Sequence, residues 1–261
     1  MNGFEYVGNY FTLTLGDVGR VFMLLVDTFK TFPRALKKSY LIVEQMMVIG
    51  VGSLPLVVVT SIFTGAVAAV QAAYQFQNYI PMRYLGTVIG KSVVIELGPV
   101  LTALVVGGRV GAAIAAELGT MKVTEQVDAL ETLAIDPLEY LVAPRFLAAI
   151  IMLPVITLFA DFLAIMGGFV VAWAGMDVSS HTFFSGLKLF FHASDVYNGL
   201  IKAFFFGGII ATMGCYHGLN TKGGAEGVGI ATMKAVVSSC LLILITDYIL
   251  AAVLFRAVFM G

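Results

Sequence analysis

Six ionisable residues fall inside long apolar stretches of this chain, and they are the residues most able to do chemistry. They are Lys91, Glu96, Arg109, Asp161, Lys202 and Asp247. A charge at membrane depth is costly unless it is paired or hydrated, so such residues often mark a substrate or ion pathway. We therefore expect some of them to serve binding and others to form structural pairs.

Glu96 is the most informative of the six because two helix-weakening residues follow it. Gly98 loosens a helix and Pro99 lacks a backbone donor, so a carboxylate stands beside an expected helix break. Glu96 then either lines a cavity and contacts a polar part of a substrate, or forms a structural ion pair with a base such as Lys202. Asp161 and Asp247 are expected to be buried partners of hydroxyl groups or of neighbouring helices rather than a proton relay.

The sequence contains no motif for catalysis. His181, His192 and His217 do not form a ligand pair at helical spacing, so no metal site is predicted. The chain has no phosphate-binding loop, no dinucleotide-binding glycine pattern and no serine-nucleophile elbow. We expect it to be no enzyme and to hold no cofactor of its own. A formal net charge of -1 gives no reason to expect nucleic-acid binding.

The composition places these residues in a membrane. Hydrophobic residues make up 59% of the chain and charged residues 12%, and the mean hydropathy is +0.96. A membrane-spanning helix needs about 20 mainly apolar residues. Such stretches lie near residues 46–73, 88–116, 145–174, 197–219 and 230–258. We predict an all-α integral membrane protein with five transmembrane helices, in which one membrane domain covers residues 1–261.

Ahead of the first span, residues 16–33 predict an amphipathic helix that lies in the membrane interface. Val18, Phe22 and Phe29 share one face, and Pro33 is expected to end the helix. The basic residues that follow are Arg34, Lys37 and Lys38. Because positive loops favour the cytoplasm, the N-terminus is predicted to be cytoplasmic and the C-terminus to lie on the opposite side.

The polar segment 117–134, between the second and third spans, predicts one continuous cytoplasmic helix. At 3.6 residues per turn its apolar residues form a stripe; they are Val123, Val127, Leu130 and Ala134. Asp136 and Pro137 are placed to cap the next helix, with Glu139 at the third position as in a capping box. The segment is either a docking helix for a cytoplasmic partner or a solvated connector.

Small residues recur every four positions along the second span. They are Gly107, Gly111, Ala115 and Gly119. Another backbone can approach such a stripe closely, and it belongs either to the same chain or to a second copy. At the outer end of the first span, small residues lead into Phe76 and Tyr79, which predict either interface anchors or the wall of an acyl-chain cavity.

Several motifs together resemble the MlaE-type, or YrbE-type, permeases of ABC transporters associated with Mce-domain proteins. The first runs from Glu96-Leu97-Gly98-Pro99 through Gly107-Gly108-Arg109-Val110-Gly111, Ala116-Glu117-Leu118-Gly119, Met121, Glu125-Gln126 and Asp128-Ala129-Leu130 to Asp136-Pro137 and Pro144-Arg145-Phe146. The second is Gly223-Gly224-Ala225-Glu226-Gly227-Val228-Gly229, followed by Ala231-Thr232. The resemblance covers nearly the whole chain.

The resemblance implies a homodimer in the bacterial inner membrane that moves phospholipid between the inner and outer membranes and so maintains outer-membrane lipid asymmetry. Implied partners are an ABC ATPase subunit, which would bind ATP and magnesium, a periplasmic Mce-domain hexamer and a STAS-domain protein. The residues implied to dock the ATPase are Glu117, Lys122, Glu125, Gln126 and Asp128. The residues implied to bind lipid are Ala68, Gln75, Phe76, Tyr79, Ile95, Glu96, Leu97 and Lys202. Ile95 departs from relatives that carry Arg at this position.

A second function from another class is consistent with the residues alone. An ion-coupled secondary carrier of a small solute would use Glu96, Asp161 or Asp247 as its coupling carboxylate. Co-purification of an ATPase distinguishes the permease from the carrier.

Overall fold

The computed structural model describes residues 3–76 and 79–260, and side-chain environments for residues 16–76 and 79–254. These residues form helices joined by short turns, without a strand among them. The helices are α1 (Gly3–Ala35), α2 (Ser39–Ile49), α3 (Leu54–Phe76), α4 (Leu85–Ser92), α5 (Gly98–Val106), α6 (Ala112–Val123), α7 (Gln126–Thr132), α8 (Ala143–Gly175), α9 (Ser180–Phe190), α10 (Ala193–Leu219) and α11 (Gly224–Met260). The all-α prediction is confirmed.

Among the residues that the structure describes, five helical stretches are long and apolar enough to cross a membrane, as predicted. They cover residues 16–76, 82–123, 138–175, 193–219 and 224–254. The first stretch joins α1, α2 and α3 through two short 3-10 turns, Leu36–Lys38 and Val51–Ser53. Pro33 does not end α1, which continues to Ala35, because a proline removes only its own backbone donor and the next two residues can complete the turn.

The long helix α8 lies between α3, α2 and α10 and forms the centre of the bundle. Two glycines permit the α3–α8 contact. A Cβ on Gly65 would strike the backbone carbonyl of Ala164, and a Cβ on Gly167 would strike that of Ile62. Because neither carbonyl can move without its helix, these positions require glycine. On its other side α10 packs against α6 and α11.

The second span is one continuous helical path from α4 to α6, interrupted by two π-helical segments. They are Val93–Leu97 and Gly107–Gly111. A π segment inserts an extra residue into the helix and turns the side chains that follow it toward new neighbours. The helix break predicted beside Glu96 is therefore a π-helical segment within an unbroken path.

The single helix predicted over residues 117–134 is wrong, because the segment contains two helices. The helix α6 ends at Val123, Glu125 adopts a left-handed conformation with φ of 60°, and α7 then begins at Gln126. After this left-handed turn Val127 is buried, at 4% exposed, whereas Val123 and Ala134 of the predicted stripe remain exposed. We call the end of the bundle that carries α7 the α7 end.

The predicted cap of the third span is confirmed at Asp136. The backbone N–H of Leu138 donates to Asp136 Oδ1 at 2.9 Å. Glu139 forms an ion pair with Lys38, with its Oε1 at 2.8 Å from Nζ. The carboxylate that was expected in a capping box thus ties the start of the third span to the turn after α1.

The small-residue stripe of the second span packs within the chain. Gly107 and Gly111 lie against Ile210 of α10, and a Cβ on Gly119 would lie 2.9 Å from the hydroxyl of Thr221. Ala115 is fully buried. Of the two interpretations left open by the sequence, the structure supports packing of this stripe inside one chain.

Candidate functional site

A cluster of three charged side chains joins the second, fourth and fifth spans. Lys202 of α10 forms ion pairs with Glu96 of the π-helical segment and with Asp247 of α11, and its Nζ lies 2.9 Å from Asp247 Oδ1. Lys202 is only 1% exposed. One buried cation is thus held between two carboxylates, which we call the ion cluster.

The two carboxylates differ in accessibility. The side chain of Asp247 is 17% exposed, whereas that of Glu96 is 46% exposed. Lys202 follows the first residue of α10 by nine positions, which places the cluster about 14 Å inside that helix. The structural ion pair that was one interpretation of Glu96 is present, and Glu96 also keeps an open face at membrane depth.

The local sequence explains why Glu96 points toward α10. Pro99 cannot donate a backbone hydrogen bond, and the N–H of Gly98 bonds to the carbonyl of Val93, five residues earlier. A Cβ on Gly98 would collide with the carboxylate of Asp161 in α8. The glycine therefore allows α8 to approach while the widened turn presents Glu96 to Lys202.

Asp161 does not have the hydroxyl partner that the sequence suggested. Its carboxylate is 6% exposed, and Oδ1 has no hydrogen-bond partner among the residues that the structure describes. Hydroxyl groups of Thr60, Thr64 and Thr102 line a small pocket next to Gly98. Asp161 packs against the back of the π-helical segment and is not part of the ion cluster.

The structure brings together only some of the predicted lipid-binding residues. Ile95 and Leu97 are half-buried on either side of Glu96, with Lys202 behind them. At the far end of α3, Ala68 is half-buried, and Gln75 and Tyr79 are exposed. Tyr79 is 89% exposed and therefore makes little contact with the described part of the bundle.

Phe76 occupies a different environment from the one expected. It is 4% exposed and belongs to a core cluster with Leu85, Ile89 and Phe183. The helix α9, which joins the third and fourth spans, packs on α4 and contributes Phe183 to this cluster. Phe76 therefore supports the wall of the bundle in this conformation and is not open to a ligand.

Two other charged residues of the second span are paired rather than extended to a membrane surface. Arg109 donates to the carbonyl of Val48 at 3.2 Å and to the hydroxyl of Ser53 at 2.9 Å. Lys91 lies 3.6 Å from Asp195 of α10. Arg109 thus ties the second π-helical segment to the turn between α2 and α3, a role that the sequence analysis missed because the partners are about 60 residues away.

The predicted docking residues form an exposed, charged surface at the α7 end, which we call the α7 surface. Glu125, Gln126 and Asp128 are exposed, and Lys122 pairs with Asp128 at 2.6 Å. Glu117 pairs at 2.7 Å with Arg145, whose side chain is almost fully buried. The apolar residue Leu133 lies nearby and is 70% exposed, although it is not among the predicted docking residues.

The described residues contain no group of three or more His, Cys, Asp or Glu side chains suited to a metal ion. The two cysteines are free, and Cys215 is buried. The main groups of charged side chains in the described bundle are the ion cluster, the α7 surface and the wall of a cavity beside α1.

Comparison with known proteins agrees with this architecture. The family described as Permease MlaE matches residues 42–253. A probable ABC transporter permease protein of Rickettsia bellii is 46% identical over 216 residues, which are 83% of each chain. One from Synechocystis is 43% identical over 213 residues, covering 82% of this chain and 81% of the relative. The intermembrane phospholipid transport system permease protein MlaE of Haemophilus influenzae is 37% identical over 243 residues, 92% of each chain.

The matched region begins within α2 and ends within α11, so it contains all of the ion cluster and the whole α7 surface. The Rickettsia bellii and Synechocystis relatives are named as probable permeases of ABC transporters, a class in which the membrane subunit works with partner subunits. The chain therefore belongs to the MlaE permease family.

Proposed function

We propose that this protein is the membrane subunit of an ATP-driven transporter that moves phospholipid between the inner and outer membranes and maintains outer-membrane lipid asymmetry. The observation that carries the proposal is the half-exposed carboxylate of Glu96 at membrane depth. A charge that faced hydrocarbon there would cost several kcal/mol. Its open face instead fits a cavity that admits water or the polar headgroup of a lipid.

The surroundings of Glu96 favour a lipid over a small polar solute. Ile95 and Leu97 flank the carboxylate, and the exposed side of α3 carries large apolar residues. These include Val59, Phe63, Val67, Val70 and Tyr74. A ligand that meets both kinds of surface needs a charged or polar head and apolar tails, which describes a phospholipid. The phospholipid transport named for the Haemophilus influenzae relative supports the same choice.

A second copy of the chain is the proposed partner that closes this cavity. The helix α11 is apolar, yet only 11% of its most hydrophobic window is buried. Its exposed residues include Met233, Val237, Leu241, Leu244 and Tyr248. In a homodimer, part of this surface and the exposed side of α3 would enclose the cavity next to Glu96.

The proposed ATPase contact is the α7 surface. Glu125 directly precedes the short helix α7, Gln126 and Asp128 lie on it, and turn hydrogen bonds close both of its ends. A rigid, charged helix at the end of a bundle suits docking because little conformational entropy is lost when the partner binds. ATP and magnesium would be held by that partner. A periplasmic Mce-domain hexamer and a STAS-domain protein are the further proposed partners.

The same docking site suggests how ATP hydrolysis in the partner could be coupled to movement of the lipid-binding residues. The helical path from α7 through α6 and α5 to Glu96 crosses both π-helical segments. Such segments are points where a helix can shift register. Closure of two ATPase subunits would push on both α7 helices, and the segments would let Glu96 and Leu97 move relative to α3. The proposed contact requires α7 to be in the cytoplasm. We accordingly propose that the protein lies in the inner membrane with a cytoplasmic N-terminus and a periplasmic C-terminus.

The proposal is tested by purifying the protein with its native partners in detergent and identifying bound proteins and lipids by mass spectrometry. We expect an ATPase and phospholipid. A polypeptide that is free of both would overturn the proposal and favour the ion-coupled carrier. Reconstituted complex with a fluorescent phospholipid then gives the transport assay, in which lipid movement must require hydrolysable ATP.

A further inference from the structure

A cavity with cationic walls lies between α1, the C-terminal end of α10 and the first turns of α11. Its volume is about 660 Å³. Arg20, Lys222 and Lys234 supply three cationic side chains to its wall, together with His217. Asp17 is the one carboxylate that the described residues contribute to that wall.

Asp17 is already engaged by its neighbours. The hydroxyl of Tyr216 donates to Asp17 Oδ1 at 2.9 Å, and Arg20 pairs with the same oxygen. In the described part of the chain no carboxylate forms an ion pair with Lys222 or Lys234. The cavity therefore carries an excess of positive charge that an anionic group would complement.

An apolar groove begins beside this cavity. On α1 it starts at Val21, the residue after Arg20, and on α10 it starts at Met213, three residues before Tyr216. Its volume is about 380 Å³, and its walls are aliphatic and aromatic. The hydroxyl of Thr212, the polar side chain in the wall, is bonded to the carbonyl of Gly208. The groove therefore offers apolar contact alone.

The groove is about as long as the hydrocarbon of one leaflet is thick. Along α10 it runs from Phe204 to Met213, a rise of nine residues or about 14 Å. Half of the hydrocarbon core of a bilayer is about 15 Å. Phe29 and Phe205, on opposite sides of the groove, are 54% and 48% exposed, so their rings are open to an apolar ligand.

We propose that the cavity and the groove together bind one phospholipid with an anionic headgroup. Its phosphate contacts Arg20, Lys222 and Lys234, and one acyl chain lies along α10 between α1 and α8. A soluble anion would match the charge but leave the groove empty, which is why the observations favour a lipid. The bound lipid would fasten α1 to α10 and α11.

This site is separate from the proposed transport cavity. Lys202 of the ion cluster lies well inside α10, whereas Lys222 of the charged cavity follows the last residue of α10, Leu219, by three positions. The two lysines are therefore 20 residues apart along the chain. The inference therefore does not depend on lipid transport.

The test uses the intact complex in zwitterionic nanodiscs that contain a trace of phosphatidylglycerol with a photoactivatable acyl chain. Labelled peptides are identified by mass spectrometry. We expect labelling of α1 and of the α10 peptide with Phe204 and Phe205. The double variant Lys222→Gln, Lys234→Gln should reduce that labelling about tenfold, since each lost charged contact weakens binding. The control, Arg34→Gln with Lys37→Gln, removes the same charge from exposed positions outside the cavity and should label normally.

A second variant tests the groove without altering charge. A Cβ on Gly208 would lie 3.5 Å from the ring of Phe146, an ordinary contact, so Gly208→Leu fills the groove without striking backbone. It should reduce labelling as strongly as the charge variant. Gly175→Leu, at an open position in α8, is the matched control and should have no effect.

Three results would overturn the proposal. Equal labelling in the charge variant and its control would show that the cations do not bind the probe. Equal labelling by a diacylglycerol probe with the same acyl chain would show that the headgroup is irrelevant. Displacement of the probe by inorganic phosphate would identify a soluble-anion site. Retention of bound ATPase by each variant, measured in parallel, separates these results from a failure of the proposed permease function.

Discussion

Replacing Lys202 with methionine should destabilise the protein more than any other single change in the ion cluster. Lys202 is 1% exposed and stands between two carboxylates. Its loss would leave Asp247 buried without its cation. Removing one partner of a buried ion pair typically costs about 3–5 kcal/mol of the free energy of unfolding.

The two carboxylates should respond unequally. Glu96→Gln leaves Lys202 paired with Asp247, and because the Glu96 side chain is 46% exposed, its loss should cost about 1 kcal/mol or less. Asp247→Asn removes the less exposed partner and should cost more. The triple variant Glu96→Gln, Lys202→Met, Asp247→Asn removes all three charges and should recover most of the stability lost in Lys202→Met.

Reversible unfolding of the purified complex in mixed micelles, followed by tryptophan fluorescence or circular dichroism, measures these free energies. Unchanged stability in Lys202→Met would refute the view that the cation is a buried, paired charge. Lipid transport by the triple variant separates two roles. If the cluster handles the lipid headgroup, the triple variant should be stable but slow in transport; transport at the normal rate would limit the cluster to structure.

Three further predictions concern the rest of the fold. The double change Glu125→Lys, Asp128→Lys should release the ATPase while the permease keeps its thermal stability. The neutral double change Glu125→Gln, Asp128→Asn should weaken ATPase binding less. An intact complex after charge reversal would disprove the docking assignment. Gly65→Ala should lower the free energy of unfolding by about 1–3 kcal/mol, because the new Cβ meets a carbonyl of α8. Gly108→Ala, with open space around it, should be neutral. Equal effects of the two changes would contradict the close α3–α8 contact. Arg109→Met should cost about 1.5–3 kcal/mol through the loss of its charged hydrogen bonds, and Arg109→Lys should recover part of this in a thermal unfolding assay; full stability in Arg109→Met would show that the contact to the α2–α3 turn is unimportant.

Some features of the site were predictable because they follow from local chemistry. The rare ionisable residues in apolar stretches were visible as a set, and the ion pair between Glu96 and Lys202 was one of two interpretations. The special helix geometry at Glu96 followed from Gly98 and Pro99. The second carboxylate of the cluster, Asp247, was recognised as a buried charge, but its partner depends on how α10 and α11 pack.

Other features were not predictable because they depend on contacts distant in sequence. The environment of Phe76 is decided by α9, which begins about 100 residues later. The left-handed turn at Glu125 breaks a pattern that is regular at helical spacing, and Val127 just after it packs into the core of the bundle. The stripe of small residues predicted close helix packing, but only the structure shows that side chains of α10 and α11 pack against it.

The sequence by itself determined the class of protein, the five spans and the positions where charge must be buried, because these depend on hydropathy, periodicity and the conformational limits of glycine and proline. The tertiary structure alone decided which charges meet, which aromatic rings are core, and where the charged cavity beside α1 lies. Those outcomes depend on the rotation and depth of each helix in the bundle, which the chain sets only through the sum of its long-range contacts.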